Sequence, residues 1–168
     1  YIYLATGGLC PIREVYSPAQ LRGEGLILDP RAHLFLEEEA AKGGEEVIPR
    51  ELFVELGVEG YWLKTLKRGS RRYLLIAGGS GLGTLYGAYA FIETLGVRFY
   101  LEGDVVPDER TSFVLPDLDQ KVRPLFARRG IQPFHDFAEG PDWWDEETYK
   151  TILLQLPKLR MNVFGLHT

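Results

Sequence analysis

Hydrophobic and polar positions fall into their clearest order in the middle of the chain. Tyr61, Leu63 and Thr65 alternate with Trp62, Lys64 and Leu66, the two-residue period of a strand with distinct faces. Lys67-Arg68-Gly69-Ser70 reads as a turn, and residues 72–77 as a second strand. Two strands joined by so short a connection are most simply an antiparallel hairpin. After Gly78-Gly79-Ser80-Gly81, residues 84–95 read as a helix that is apolar on nearly every side and carries small residues at Gly87, Ala88 and Ala90. Such a helix is expected to be buried and to pack closely on a sheet. Gly96 ends it, and residues 97–101 return as a strand.

The flanks are less regular. Residues 1–4 read as a strand ended by Gly7-Gly8, and Ser17-Pro18 as a cap followed by proline at the first helical position, stopped by Gly23. Asp29-Pro30 repeats that start signal, with Ala32, Phe35, Leu36 and Ala40 as one helical face and Gly43-Gly44 as its end. Glu37-Glu38-Glu39 on that helix reads as a solvated face, and His33 as a surface or capping residue. Residues 111–115 read as a short extended piece, and residues 116–127, bounded by Pro116 and Pro124, as a linker. Beyond it come a strand at 128–134, a helix at 145–161 and a strand at 162–167. Tyr149, Ile152, Leu153, Leu156 and Leu159 give the helix its apolar face, while Pro157 should kink or shorten it. Strand, helix, strand in that order predicts two parallel strands. The fold class is therefore α/β, without internal repeats.

Composition excludes some functions without altering this picture. The chain has 168 residues, 45% hydrophobic and 26% charged, enough for one domain or one domain and part of another. Its 19 basic and 24 acidic residues leave a net charge of −5, which disfavours a nucleic-acid partner. Cys10 is the single cysteine, so no internal disulfide forms. The longest apolar stretch, residues 85–92, is too short to span a bilayer. With Tyr1 first and no charged-then-apolar leader after it, any targeting segment is expected outside this sequence.

Several motifs carry a resemblance. Glu59-Gly60-Tyr61, Ile76-Ala77-Gly78-Gly79, Gly83-Thr84-Leu85-Tyr86-Gly87 and Leu95-Gly96-Val97-Arg98 resemble the non-catalytic N-terminal α/β domain of glycoside hydrolase family 20 (β-hexosaminidases, their domain 2) and family 67 (α-glucuronidases). Arg129-Gly130, followed by Lys158-Leu159-Arg160-Met161-Asn162-Val163-Phe164-Gly165-Leu166-His167, looks like the opening of the family 20 catalytic (β/α)8 barrel. The resemblance implies a non-catalytic domain over residues 1–115, the linker at 116–127 and the first βαβ unit of a barrel over 128–168. It also implies a carbohydrate-processing parent protein, secreted or periplasmic.

Residue by residue, the resemblance places Arg129 where family 20 has an arginine that bonds sugar hydroxyls, a task that suits a planar guanidinium. A strand-end salt bridge is the alternative. His167 matches a histidine at the end of the second strand, where barrels place their active face, with a core histidine as the alternative. Family 20 members usually follow the first strand with an aspartate and then an Arg-His pair, whereas this chain reads His135-Asp136-Phe137-Ala138-Glu139-Gly140. That departure points to a more distant glycosidase-like branch. His135 and Asp136 remain candidates because they follow the strand directly. Trp143 and Trp144 offer an aromatic face to a sugar, or a cover for the barrel. Asp142 or Asp145 is expected to cap the helix, with Glu146 favouring its N-terminus.

The acid pair of family 20 lies near the fourth barrel strand. A full barrel takes about 250 residues, so residues 128–168 cannot close one. The catalytic acids are expected beyond Thr168, and this chain alone is expected to be inactive. Neither a cofactor nor a metal is expected. The expected partners are a carbohydrate substrate and the remainder of the barrel, not nucleic acid or membrane. Two other classes stay open. One is a non-enzymatic carbohydrate-binding or interaction module. The other is a nucleotide site at Gly78-Gly79-Ser80-Gly81-Leu82-Gly83 with Glu102 downstream, although Thr84 stands where the dinucleotide fingerprint needs its third glycine. Tight turning and close helix packing account for those glycines equally well.

Overall fold

The computed structural model describes residues 1–30, 51–134 and 140–166. The helix expected after Asp29-Pro30, with His33 and Glu37-Glu38-Glu39, lies outside the described residues.

The hairpin forms as its pattern predicts. Strands β2 (Tyr61–Arg68) and β3 (Arg71–Gly78) pair antiparallel, with Leu63 opposite Ile76 and Arg68 opposite Arg71. That register leaves Gly69 and Ser70 as a two-residue loop, and Gly69 takes the positive φ of 59° that such turns demand. From Tyr73 to Ala77 every β3 residue is buried, because the sheet is covered on both faces. Tyr61, Leu63, Leu74 and Ile76 face one core with Tyr86, Phe91, Val97 and Phe99. Trp62, Tyr73, Leu75 and Ala77 face a second core with Ile27, Leu52 and Leu56.

Two strands that the sequence reading missed complete the sheet, in the order β1-β3-β2-β6. Strand β1 (Gly25–Leu28) runs parallel to β3. Strand β6 (Asp119–Val122) runs antiparallel to β2, with Trp62 opposite Lys121. It falls inside the stretch expected to be a linker, so the N-terminal sheet extends past residue 115. All four β6 residues are exposed, which left no apolar alternation to read. Their placement comes from β2. The Trp62 indole Nε1 donates to Asp119 Oδ1 at 2.7 Å, Lys64 Nζ donates to Asp119 Oδ2 at 2.8 Å, and the Thr65 hydroxyl donates to the Pro116 carbonyl at 2.7 Å. Residues 111–115, expected to be extended, form no strand.

Helix α1 (Ile2–Thr6) replaces the strand expected at residues 1–4. Ala5 is fully buried in the first core, and the Tyr1 ring meets Phe99 edge-on at 5.4 Å. This packing decides a segment too short to hold a conformation by itself. A 3-10 turn at Pro18–Gln20 follows the Ser17-Pro18 signal. Helix α2 (Glu51–Leu56) supplies Leu52 and Leu56 to the second core.

Helix α3 (Gly81–Thr94) lies on the first face, capped by Ser80, whose hydroxyl accepts from the Leu82 and Gly83 amides. At Gly87 an added Cβ would stand 3.0 Å from Ile76 and 3.1 Å from Tyr61, so this glycine lets helix and sheet approach. Burial is one-sided, however, and Leu82 and Leu85 remain partly exposed. Strand β4 (Arg98–Tyr100) does not join the sheet. It turns at once into β5 (Gly103–Val105) as a separate hairpin.

The C-terminal unit is strand β7 (Gly130–Ile131), a 3-10 turn (Pro141–Trp143), helix α4 (Glu146–Lys158) and strand β8 (Val163–Phe164). β7 and β8 pair in parallel, as expected, although each is shorter than its apolar run suggested. Asp145 caps α4, accepting from the Thr148 amide at 2.8 Å. Pro157 sits in the last turn and the helix stops one residue later.

Candidate functional site

Gly130 permits the parallel pair, since a Cβ there would collide with the Val163 carbonyl. At the C-terminal end of the pair, the 3-10 turn brings Trp144 back over β8. Trp144 packs edge-on against Tyr149 at 5.3 Å and lies 6.4 Å from Phe164. The Tyr149 hydroxyl ties the turn down by donating to the Pro141 carbonyl at 2.9 Å. Trp144 is thus part of an aromatic cluster, while its neighbour Trp143 stands 71% exposed. Acids surround this end. Asp145 is held below the ordinary carboxylate range by the Thr148 hydroxyl and amide, and Glu146 and Glu147 both pair with Lys150. These three acids are therefore engaged in capping and helix-surface pairs.

The other end of the pair is built differently. Arg129 directly precedes β7, and all three of its guanidinium nitrogens donate. Nε reaches the Arg160 carbonyl at 2.8 Å, Nη1 the Phe126 carbonyl at 2.6 Å, and Nη2 the Glu59 carboxylate at 2.7 Å. Asn162 closes the arrangement. Its Nδ2 donates to Glu59 Oε1 at 2.8 Å and its Oδ1 accepts the Arg129 amide at 2.9 Å. Burial acts to raise the Glu59 pKa, but the hydrogen bonds from Asn162 and Arg129 and the arginine's charge outweigh it, and the carboxyl is held below its usual range. Beside this network, burial pushes the Tyr86 phenol up.

Further polar links join the two units. Asp104 accepts from Lys158 at 2.7 Å and from the Tyr1 hydroxyl. Arg160, at the positive φ of 58°, pairs with Glu93. Leu159 packs against the first core between these pairs.

The six residues singled out from sequence therefore separate. Trp143 and Trp144 stand together at the C-terminal end of the parallel pair. Arg129 lies at the opposite end, directed at Glu59, so contact with a sugar would require it to release at least one of its present acceptors. His135, Asp136 and His167 lie outside the described residues. Sequence reasoning missed Glu59 and Asn162 as partners of Arg129, since no local pattern links positions 70 and 33 residues away.

The glycine-rich loop at 78–83 is packed against backbone. A Cβ at Gly79 would collide with the Gly57 carbonyl oxygen, and one at Gly83 with that of Gly60. The Gly79 amide donates to Gly60 at 3.0 Å and the Ser80 hydroxyl to Val58 at 2.6 Å. Carbonyl oxygens thus crowd this loop. Among the described residues no group of three or more His, Cys, Asp or Glu is placed to hold a metal ion. No helix among them is long and apolar enough to cross a membrane.

No curated protein and no solved structure matches the chain. Residues 36–91 match the family model described as Glycosyl hydrolase family 67 N-terminus. Within the described residues that stretch contains α2, β2, β3 and most of α3, and it does not reach the segment that resembles a barrel opening. The comparison supports a family 67-like N-terminal domain, and with it a chain related to the glycoside hydrolases.

Proposed function

We propose that this chain is the non-catalytic N-terminal domain of a carbohydrate-processing glycosidase, joined to the first βαβ unit of its (β/α)8 catalytic barrel. The observation that carries the reading is the parallel pair β7–β8, bridged by α4 and fixed through Arg129 and Asn162 to Glu59, which lies within the family-matched stretch. Two strands of two residues each have ladder edges that call for further strands, as the opening of a barrel would. In this reading the N-terminal domain is a support. Its hydrogen bonds set the base of the first strand, while Trp143 and Trp144, together with His135, Asp136 and His167 as the resemblance implies, belong to the sugar-facing side. Trp143, exposed beside a fixed aromatic cluster, is the described residue best suited to lie against a sugar ring.

The test is the intact mass of the native product with peptide sequencing past Thr168, followed by hydrolysis assays on hexosaminides and glucuronides. Further strand–helix units with a carboxylate pair at a later strand end, together with turnover, are the expected result. A native product ending at Thr168, or a full-length product without turnover on either substrate class, would sink the reading.

A further inference from the structure

From the last residue of α4 to the residue before β8, positions 158 to 162 each touch the N-terminal unit. Lys158 Nζ donates to Asp104 on β5 at 2.7 Å, and Leu159 packs against the first core. Arg160 pairs with Glu93 near the end of α3. The Met161 carbonyl accepts from the Tyr86 hydroxyl at 3.4 Å, and Asn162 Nδ2 donates to Glu59 at 2.8 Å. Helix α4 itself lies against α3, β4 and β5. The β4–β5 hairpin, which left the sheet, thus forms one wall of a platform on which this turn is seated.

Residue 160 shows that the turn is shaped by its partners. The Arg160 amide donates to the Pro157 carbonyl at 3.0 Å and the Met161 amide to that of Leu156 at 2.8 Å, the paired bonds of a Schellman cap, whose left-handed position is usually glycine. Arginine occupies it here, at a φ of 58°. Strain of this kind persists where the surroundings over-determine the conformation. Here the guanidinium reaches Glu93, and Arg129 Nε holds the Arg160 carbonyl at 2.8 Å.

The C-terminal unit has little to hold it by itself. Among the described residues, neither hydrophobic core includes a fully buried side chain from it. Its two strands have two residues each, short of what an independent sheet needs. Helix α4, with 13 residues, is marginal as an isolated helix in water. The N-terminal sheet, by contrast, builds a core on each face from its own residues.

We propose that the N-terminal unit is a folding template. The β7–α4–β8 unit takes its structure only when the turn at 158–162 is seated on the platform of α3, β4 and β5, whereas the N-terminal sheet folds without it. Seating is decided by charge, through Asp104 with Lys158 and Glu93 with Arg160. This goes beyond the glycosidase reading and does not depend on it, because it concerns backbone protection and not turnover.

The test is amide hydrogen exchange, resolved by NMR, on the full chain and on its charge-reversed variant Glu93→Lys/Asp104→Lys. In the unaltered chain the Val163 and Gly165 amides, which donate to Arg129 and Ile131, should be protected, as should those in the middle of α4. In the variant these amides should lose about a hundredfold or more of their protection, while Leu74 and Ile76 in the central strand β3 stay protected. Adding Lys158→Glu/Arg160→Glu to the variant restores opposite charges across the seam and should return about tenfold or more of the lost protection. Protection of α4 and β8 that survives charge reversal would show that the unit stands by itself. Loss shared equally by Leu74 and Ile76 would show a single inseparable body, and no recovery in the charge-swapped chain would show that these pairs do not decide the seating. Any of the three overturns the proposal.

Discussion

Glu59 and Arg129 stand 70 residues apart in the chain and meet at 2.7 Å, each side chain 19% exposed. Glu59 closes the turn before β2, and Arg129 opens β7. Asn162, before β8, bonds to both of them. One carboxylate thus sets the position of both strands of the parallel pair relative to the N-terminal sheet.

Replacing Glu59 by Gln keeps an acceptor for Asn162 but leaves the Arg129 cation without its counter-charge. Hydrogen bonds to charged groups contribute about 1.5–3 kcal/mol, and partial exposure lowers this. The expected loss is about 1–2 kcal/mol, read from urea unfolding of the full chain. An unchanged midpoint would show that the pair does not hold the two units together.

The same docking should weaken in acid. At Asp104 burial acts to raise the pKa, but hydrogen bonds from Lys158, Tyr1 and Gln155, with the lysine's charge, outweigh it and hold the carboxyl below its ordinary range. Glu59 is lowered as well. A carboxylate whose folded pKa lies below its unfolded one contributes stability above the unfolded value and loses it as pH falls through the folded value. The contribution of this pair should therefore be full above about pH 5 and decline below about pH 4. Unfolding midpoints of the chain and of a Glu59→Gln/Asp104→Asn variant should converge as the pH is lowered across that window. A gap that stays constant would contradict the assignment.

Two nearby glycines should behave in opposite ways. Gly79→Ala drives a Cβ into the Gly57 carbonyl, and backbone on both sides leaves no flexible group to yield. Overpacking of this kind costs about 1–3 kcal/mol or more, so the variant should be severely destabilised or recovered unfolded. At Gly81, the first residue of α3, an added Cβ meets nothing within 4 Å. Gly81→Ala should be neutral or stabilise by up to about 1 kcal/mol. Thermal unfolding of the two variants side by side checks this.

The adjacent tryptophans should also part company. Trp144→Ala removes the ring that packs on Tyr149 and Phe164 and should cost about 1–3 kcal/mol for a half-buried aromatic. Trp143→Ala, at an exposed position, should change stability by less than about 0.5 kcal/mol. If Trp143 lies against a sugar, its loss in the parent protein should raise KM with little effect on unfolding. Equal destabilisation by both changes would instead make Trp143 a packing residue.

Some of this architecture was legible because it rests on neighbours in sequence. The β2–β3 hairpin follows from a two-residue apolar period around a glycine turn, α3 from an apolar run after a glycine-rich turn, and α4 from an apolar helical face behind an acidic cap. Strand β6 was not legible, because Asp119–Val122 buries nothing and its pairing is dictated by Trp62, Lys64 and Thr65. Helix α1 was misread for a related reason: its conformation is decided by seating Ala5 and Tyr1 in a core assembled from distant residues.

The amino-acid sequence by itself determined the α/β class, the hairpin, the two longer helices and the parallel order of the last two strands. Each depends on local period, a turn residue or a cap, which act over a few positions. Only the tertiary structure decided which strands close the sheet, that β4 leaves it for β5, and that Arg129 is joined to Glu59 and Asn162. The closing of the sheet and the joining of Arg129 depend on contacts across 33 to 103 residues, where the choice of partner is settled by packing and charge in three dimensions rather than by any repeating pattern along the chain.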